Sequence, residues 1–158
     1  MKIAIGCDEA AYDLKIVLKK HLESKEIEVI DFGADEGSTV LYPDIGFEVA
    51  QSVAKGEFER AILVCGTGIG MSICANKVPG VRAAVCHDPF SAQRARKSND
   101  AQILCMGQRV IGEELAKCLV DIWLESEFQG GGSTKKVERI AELENAVKNK
   151  KLDELLLH

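Results

Sequence analysis

Residues 62–77 read ILVCGTGIGMSICANK. An apolar run drives into Cys65, glycines alternate at 66, 68 and 70, and a helix-compatible pattern resumes as far as Lys77. An apolar strand that breaks at a glycine-rich turn and continues as a helix is the opening half of a βαβ unit. The same grammar repeats outward in both directions. Short β-compatible runs stand at KIAIGC (2–7), EVIDF (28–32), AILVC (61–65), RAAVC (82–86) and QILCM (102–106). Helical stretches lie between them. The first spans Tyr12 to Ser24 with Leu14, Val17, Leu18 and Leu22 on one face. Others fit Asp44–Lys55, Gly70–Lys77, Pro89–Ser98 and Glu113–Ser126. Strands that are apolar throughout predict a parallel sheet covered on both faces, so the fold class is α/β, a three-layer α/β/α sandwich on five strands. The stretch GGGST at 130–134 breaks the composition and precedes a charged helix over 135–150, an amphipathic C-terminal arm.

Composition narrows the function. A chain of 158 residues, 46% hydrophobic, can bury one sizeable core, so a single domain over 1–158 is expected. The formal charge is −5 and no basic block has interleaved aromatic residues, which argues against a nucleic-acid partner. An anionic substrate would need a local basic pocket. The start, MKIAIGCDEAAYDLK, holds an apolar stretch too short for a signal peptide or a membrane span, so a cytoplasmic chain is expected. The six cysteines (Cys7, Cys65, Cys74, Cys86, Cys105 and Cys118) show neither a CxxC pair nor a histidine at zinc-ligand spacing, so no metal site is expected. Free thiols in a reducing compartment are the default, and Cys105 and Cys118 sit among apolar neighbours as expected core residues.

In such sheets ligands gather at the carboxyl ends of the strands, near the point where the chain reverses its direction of winding. Those ends carry Asp8-Glu9, Cys65-Gly66-Thr67, His87-Asp88 and Gly107-Gln108-Arg109. Asp8 is either a helix cap or a site residue, and both readings stay open. Asp88 before Pro89 reads as an N-cap with proline at the first helical position. Gly66, Gly68 and Gly70 leave backbone N–H groups bare at a helix start, an expected anion nest. A nucleotide-binding loop would need Lys-Ser/Thr after the last glycine, and Met71-Ser72 follow instead. The dinucleotide pattern GxGxxG also misses, its third glycine falling one place early. What remains is a nest with a cysteine at its lip. A helix start favours thiolate there, which makes Cys65 a candidate to exchange a proton.

The segments IGCDEAAYDLK, EVIDFG, YPDIG, CGTGIGMSICANKVPGVRAAVC, SAQRARKSNDAQIL, MGQRVIG and EFQGG follow one another over most of the chain. From Met1 to about Asn149 the sequence resembles the ribose-5-phosphate isomerase type B family, which includes the galactose-6-phosphate isomerase subunits. The resemblance implies a Rossmann-like fold and a homodimer or dimer of dimers with active sites at the subunit interface. It implies a C-terminal arm, about 130–158, packed on a partner, and neither metal nor cofactor. The implied reaction interconverts aldose and ketose phosphates through a cis-enediolate, on ribose 5-phosphate and ribulose 5-phosphate or a related sugar phosphate of four to six carbons.

The resemblance also assigns roles. Cys65 becomes the base, because the carboxylate that serves in another branch of the family is replaced here by Met71. Thr67 helps to open or orient the sugar ring. The loop from Gly66 through Gly68, Ile69 and Gly70 holds the enediolate, while Asp8, Tyr42 and Asn99 meet sugar hydroxyls and Arg109 meets the phosphate. Departures are equally informative. Glu9 stands where members commonly carry histidine, and Ser98 precedes Asn99 where histidine is common. In GGGSTKK, Gly132 and Ser133 replace an arginine and a histidine, and Lys136 replaces a second arginine. Glu9, Ser98 and Lys136 are kept in the expected substrate-binding set. An ammonium replaces a guanidinium fork only as a point charge, so phosphate grip is reduced. Two alternatives stay open: an isomerase of an unphosphorylated acidic sugar, and a non-catalytic subunit or sugar-phosphate binder.

Overall fold

The computed structural model describes residues 1–156. Strands β1 (Lys2–Cys7), β2 (Glu28–Asp31), β3 (Arg60–Cys65), β4 (Ala83–Val85) and β5 (Ile103–Gly107) form one parallel sheet in the order β2-β1-β3-β5-β4. The two-residue period of each strand sorts its side chains into two cores. Ile3, Ile5, Cys7, Ile62, Val64, Leu104 and Met106 face one side, under α1 (Tyr12–Glu23), α4 (Pro89–Lys97) and α5 (Glu113–Glu125). Ala4, Ala61, Leu63, Cys65, Ile103 and Cys105 face the other, under α2 (Tyr42–Ala54) and α3 (Ile69–Ala75). The three expected layers are present. On α1, Leu14, Leu18 and Leu22 form the buried stripe, each stabilising by roughly 1.5–3 kcal/mol relative to exposure.

Several boundaries differ from expectation. Helix α2 begins at Tyr42, because Pro43 pre-sets the first turn. Helix α3 begins at Ile69, directly after a left-handed Gly68. Cys118 is exposed, contrary to expectation, because α5 buries the stripe Ala116, Leu119, Val120 and Trp123 and turns Cys118 outward. Asp88 does cap α4, its carboxylate accepting the Ser91 N–H at 2.8 Å.

Buried Arg60 ties the start of β3 to the end of α5, donating to the carbonyls of Trp123 at 3.0 Å, Leu124 at 2.8 Å and Ser126 at 3.1 Å. The chain then runs through a short 3₁₀ turn (Gly131–Ser133) into α6 (Thr134–Lys148) and a further helix α7 (Leu152–Leu156) that the sequence pattern did not announce. Helix α6 is mostly exposed and is pinned by Glu144, which accepts the Gly80 N–H at 2.8 Å. Of the expected arm at 130–158, the final two residues lie outside the described residues. Among those described, no helix is long and apolar enough to cross a membrane.

The chain leaves β1 for β2 on one side and leaves β3 for β4 on the other. The winding therefore reverses between β1 and β3, and a crevice opens at their carboxyl ends.

Candidate active site

Three strand ends meet at that crevice. β1 delivers Asp8, β3 delivers Cys65, Gly66 and Thr67, and the turn after β5 delivers Arg109, all onto a cavity of about 400 Å³. Tyr42 from α2, with Ile69, Gly70 and Ile73 from α3, closes its wall.

Cys65 is the last residue of β3 and is 5% exposed. Its Sγ accepts the Gly68 N–H at 3.1 Å, so the sulfur is held in place by the loop that follows it. That geometry requires glycine at 68. Its φ is +79°, and a Cβ there would stand 2.9 Å from the Met106 backbone. Arg109 packs across the loop, with Nη1 3.3 Å from where a Cβ of Gly66 would be. The turn that carries Arg109 is stitched to β3: Gln108 N–H donates to the Cys65 carbonyl and Arg109 N–H to the Gly66 carbonyl, both at 3.0 Å.

The expected anion nest is smaller than the glycine pattern suggested. Gly68 N–H is taken by Cys65 Sγ, and Ile69 N–H donates to Thr67 Oγ1 at 3.3 Å. The hydroxyl proton of Thr67 consequently remains to be donated outward, while Gly70 reaches the cavity wall at the first turn of α3.

Both readings of Asp8 hold together. Its Oδ1 accepts the Ala10 N–H at 3.0 Å and caps the 3₁₀ turn Glu9–Ala11, while the side chain also lines the cavity. Burial raises its carboxyl above the ordinary aspartate value, with Glu9 adding to the rise and the Ala10 N–H and Arg109 opposing it. Glu9 itself is exposed and does not line the cavity.

Burial acts on four neighbouring thiols. It pushes Cys7 and Cys86 each up to about 11 and also raises Cys74 and Cys105, so these four remain neutral near pH 7. Among the described residues no three His, Cys, Asp or Glu side chains cluster as a metal-binding group.

Within one protomer, Ser98, Asn99 and Lys136 do not join this cavity. Ser98 caps the end of α4 and Asn99 precedes β5, at the amino edge of the sheet, with the five residues of β5 (about 16 Å of strand) between them and the Arg109 turn. Asn99 instead lines a second cavity with Ile140 and Glu144 of α6. Lys136 is exposed on the same helix, one turn ahead of Ile140. The expected substrate-binding residues thus form two groups on opposite edges of the sheet. Ala10 and Ile73, which also line the main cavity, were not expected, since a methyl or aliphatic side chain carries no chemical signature in a sequence.

Fold and site together define a doubly wound α/β protein with a buried cysteine at the lip of a glycine-rich loop and an arginine across from it. The chain belongs to the ribose/galactose isomerase family, whose model matches residues 3–140. It is 51% identical over 150 residues to a D-erythrulose-4-phosphate isomerase of Pectobacterium atrosepticum, covering 94% of this chain and 99% of that relative. It is 55% identical over 144 residues to a ribose-5-P isomerase B of Listeria innocua, covering 91% and 97% of the two chains. The solved structure of Clostridium thermocellum ribose-5-phosphate isomerase B superimposes with a TM-score of 0.91 at 49% identity, over 93% of this chain and 99% of that one.

Proposed function

We propose that this chain is an aldose–ketose isomerase of sugar phosphates with four to six carbons, folded as one catalytic domain and acting in the cytoplasm. The observation that carries the reading is the fixed Cys65 sulfur, 3.1 Å from the Gly68 N–H, on a cavity wall shared with Arg109 and Asp8. Moving a carbonyl between C1 and C2 needs one base beside the carbon that loses its proton and one set of dipoles at the developing enediolate. Cys65, as thiolate, takes the proton from the carbon beside the carbonyl and returns it to the neighbouring carbon, while the proton of the adjacent hydroxyl passes to the former carbonyl oxygen. No atom is gained or lost overall. The Thr67 hydroxyl and the first turn of α3 at Gly70 face the oxygens, each such donor accounting for roughly 10²–10³ in rate in comparable oxyanion sites. Asp8 and Tyr42 contact sugar hydroxyls, and the Arg109 guanidinium binds the phosphate. Free thiols at all six cysteines support a reducing compartment.

The remaining groups come from a second copy. A dimer that places Asn99 and Lys136 of one protomer beside the Cys65 loop of the other would complete the site. Exposed apolar side chains around the cavity support such a covered face: Leu41 is 73% exposed, Ile69 56% and Ile73 55%.

Relatives acting on a four-carbon and on a five-carbon sugar phosphate resemble the chain to nearly the same degree. Glu9 and Ser98 stand where ring-opening histidines are common, which favours substrates that are already open-chain. The test is a panel of aldose and ketose phosphates of four to six carbons, with uronates included, scored for carbonyl migration. Turnover confined to unphosphorylated acid sugars would overturn the phosphate assignment, and no turnover of any sugar would overturn the enzyme.

A further inference from the structure

His87 lies outside the cavity lining and has no role in the chemistry above, yet it holds the strand from which Arg109 departs. The β4–β5 ladder runs in a regular register: Ile103 N–H donates to the Arg82 carbonyl at 3.2 Å, and Cys86 N–H donates to the Cys105 carbonyl at 3.0 Å. Continued by two residues, that register would send the Gly107 N–H to the carbonyl of Cys86. But β4 stops at Val85, and the Gly107 N–H donates to His87 Nε2 at 2.9 Å. The imidazole stands in for a strand carbonyl. An Nε2 that accepts carries no proton, so the ring is the neutral Nδ1–H tautomer. Burial holds this imidazole below the ordinary histidine range, against the opposing charge of Asp88, which keeps it neutral at pH 7.

Gly107 in turn supports the site. Its α-carbon abuts the glycine-rich loop so closely that a Cβ would stand 2.5 Å from Thr67 Cα and 2.7 Å from the Gly66 carbonyl oxygen. Its carbonyl accepts the Val110 N–H at 3.0 Å and the Ile111 N–H at 3.2 Å, closing the turn that aims Arg109 into the cavity. We propose that His87 is a positioning residue of this site: through Nε2 it fixes Gly107, and through the Gly107–Arg109 turn it fixes the guanidinium over Gly66. The proposal rests on the reading of Arg109 as the phosphate contact. A misplaced guanidinium weakens binding that ground state and transition state share, so the effect falls on KM more than on kcat.

The test compares His87→Leu, which cannot accept, with His87→Gln, whose amide oxygen reaches to where Nε2 stood. Deuterium exchange of the Gly107 amide reports the bond: wild type and His87→Gln protect it, and His87→Leu loses about tenfold or more of that protection. For the best sugar phosphate, KM rises about tenfold in His87→Leu with a much smaller fall in kcat, and His87→Gln returns KM to within about threefold of wild type. If the leucine variant unfolds, His87→Ala with and without free imidazole makes the same comparison, since imidazole can refill the vacated acceptor. An unchanged KM in the variants that lose protection overturns the proposal, and so does a loss confined to kcat. A wild type inactive on every sugar phosphate would sink the isomerase reading but not this test. Inorganic phosphate, titrated by calorimetry with Arg109→Ala as reference, then decides: weaker binding in His87→Leu and recovery in His87→Gln support positioning. Equal binding in all three, or none in wild type, overturns it.

Discussion

Tyr42 lies across Gly70: a Cβ built on that glycine would stand 2.6 Å from Cε2 and Cζ of the ring and 3.0 Å from its hydroxyl oxygen. The contact joins the first turns of α2 and α3 and sets the ring into the cavity wall. Gly70→Ala should drive the ring outward, which is open to it because Tyr42 is 39% exposed. KM should rise while stability stays nearly constant, since alanine's helix preference of about 1 kcal/mol over glycine offsets the strain. Gly68→Ala should behave otherwise, costing about 1–3 kcal/mol, because its φ is +79° and the Met106 backbone cannot yield. Urea unfolding and steady-state kinetics on both variants check the contrast, and an unaltered KM in Gly70→Ala would remove Tyr42 from the substrate wall.

Cys65→Ala should lower kcat by roughly 10²–10⁴ while leaving the unfolding midpoint close to wild type, since the proposed base is lost and the fold keeps its buried β carbon. Thiol alkylation gives an independent check. Cys118 is exposed, and burial holds Cys7, Cys74, Cys86 and Cys105 as neutral thiols. In a Cys118→Ser background, loss of activity on alkylation should therefore track modification of Cys65. Near-wild-type turnover by Cys65→Ala would show that another group takes the proton.

The division of the expected substrate-binding residues between two edges of the sheet predicts complementation. Cys65→Ala and the double variant Asn99→Ala/Lys136→Ala should each be weak alone. Mixed after unfolding and refolding together, they should recover about a quarter of wild-type activity, because random pairing makes half the dimers mixed and each mixed dimer holds one intact site. Recovery no greater than the average of the separate variants would show that each protomer carries a whole site.

Asp31 gives a pH prediction. Burial opposes its charge, but the Lys15 hydrogen bond at 2.9 Å, the Gly33 N–H and the Lys15 and Lys19 charges outweigh burial, so its carboxyl sits below the ordinary aspartate value. A depressed folded-state value contributes stability that is present above the unfolded value of about 3.9 and is lost as pH falls through the folded one. Asp31→Asn should cost about 3 kcal/mol at pH 7, because it removes the carboxylate charge that faces Lys15, 1% exposed, and leaves that ammonium with neutral acceptors only, the new amide oxygen and the Ala34 carbonyl. The gap between wild type and variant should shrink as pH is lowered below about 3.9. Urea unfolding at pH 7, 5 and 3 measures it, and a gap independent of pH would assign the loss to packing.

Much of this was written locally. An apolar run ending in Cys65-Gly66-Thr67 specifies a buried strand, its end and the helix that follows, because strand burial, glycine's left-handed backbone and helix restart act over a few residues. Asp88-Pro89 likewise encodes its own cap. Cys118 is exposed despite its apolar neighbours, because neighbours in a sequence say nothing of which face a helix turns inward; Ala116, Leu119, Val120 and Trp123 decide that together.

The layers, the parallel sheet, the strand-end location of the site and the loop that holds Cys65 are legible in the sequence, since each follows from side-chain period and backbone freedom within one βαβ unit. Tertiary structure alone decided the partners. That Gly107 would take the His87 ring in place of a strand carbonyl, that Cys65 Sγ would absorb an N–H of the nest, and that Asn99 would lie on the opposite edge from Arg109 all depend on strand order. Strand order is set by which crossovers pack over which face of the sheet, an energy shared among residues far apart in the chain, and no short stretch of sequence carries it.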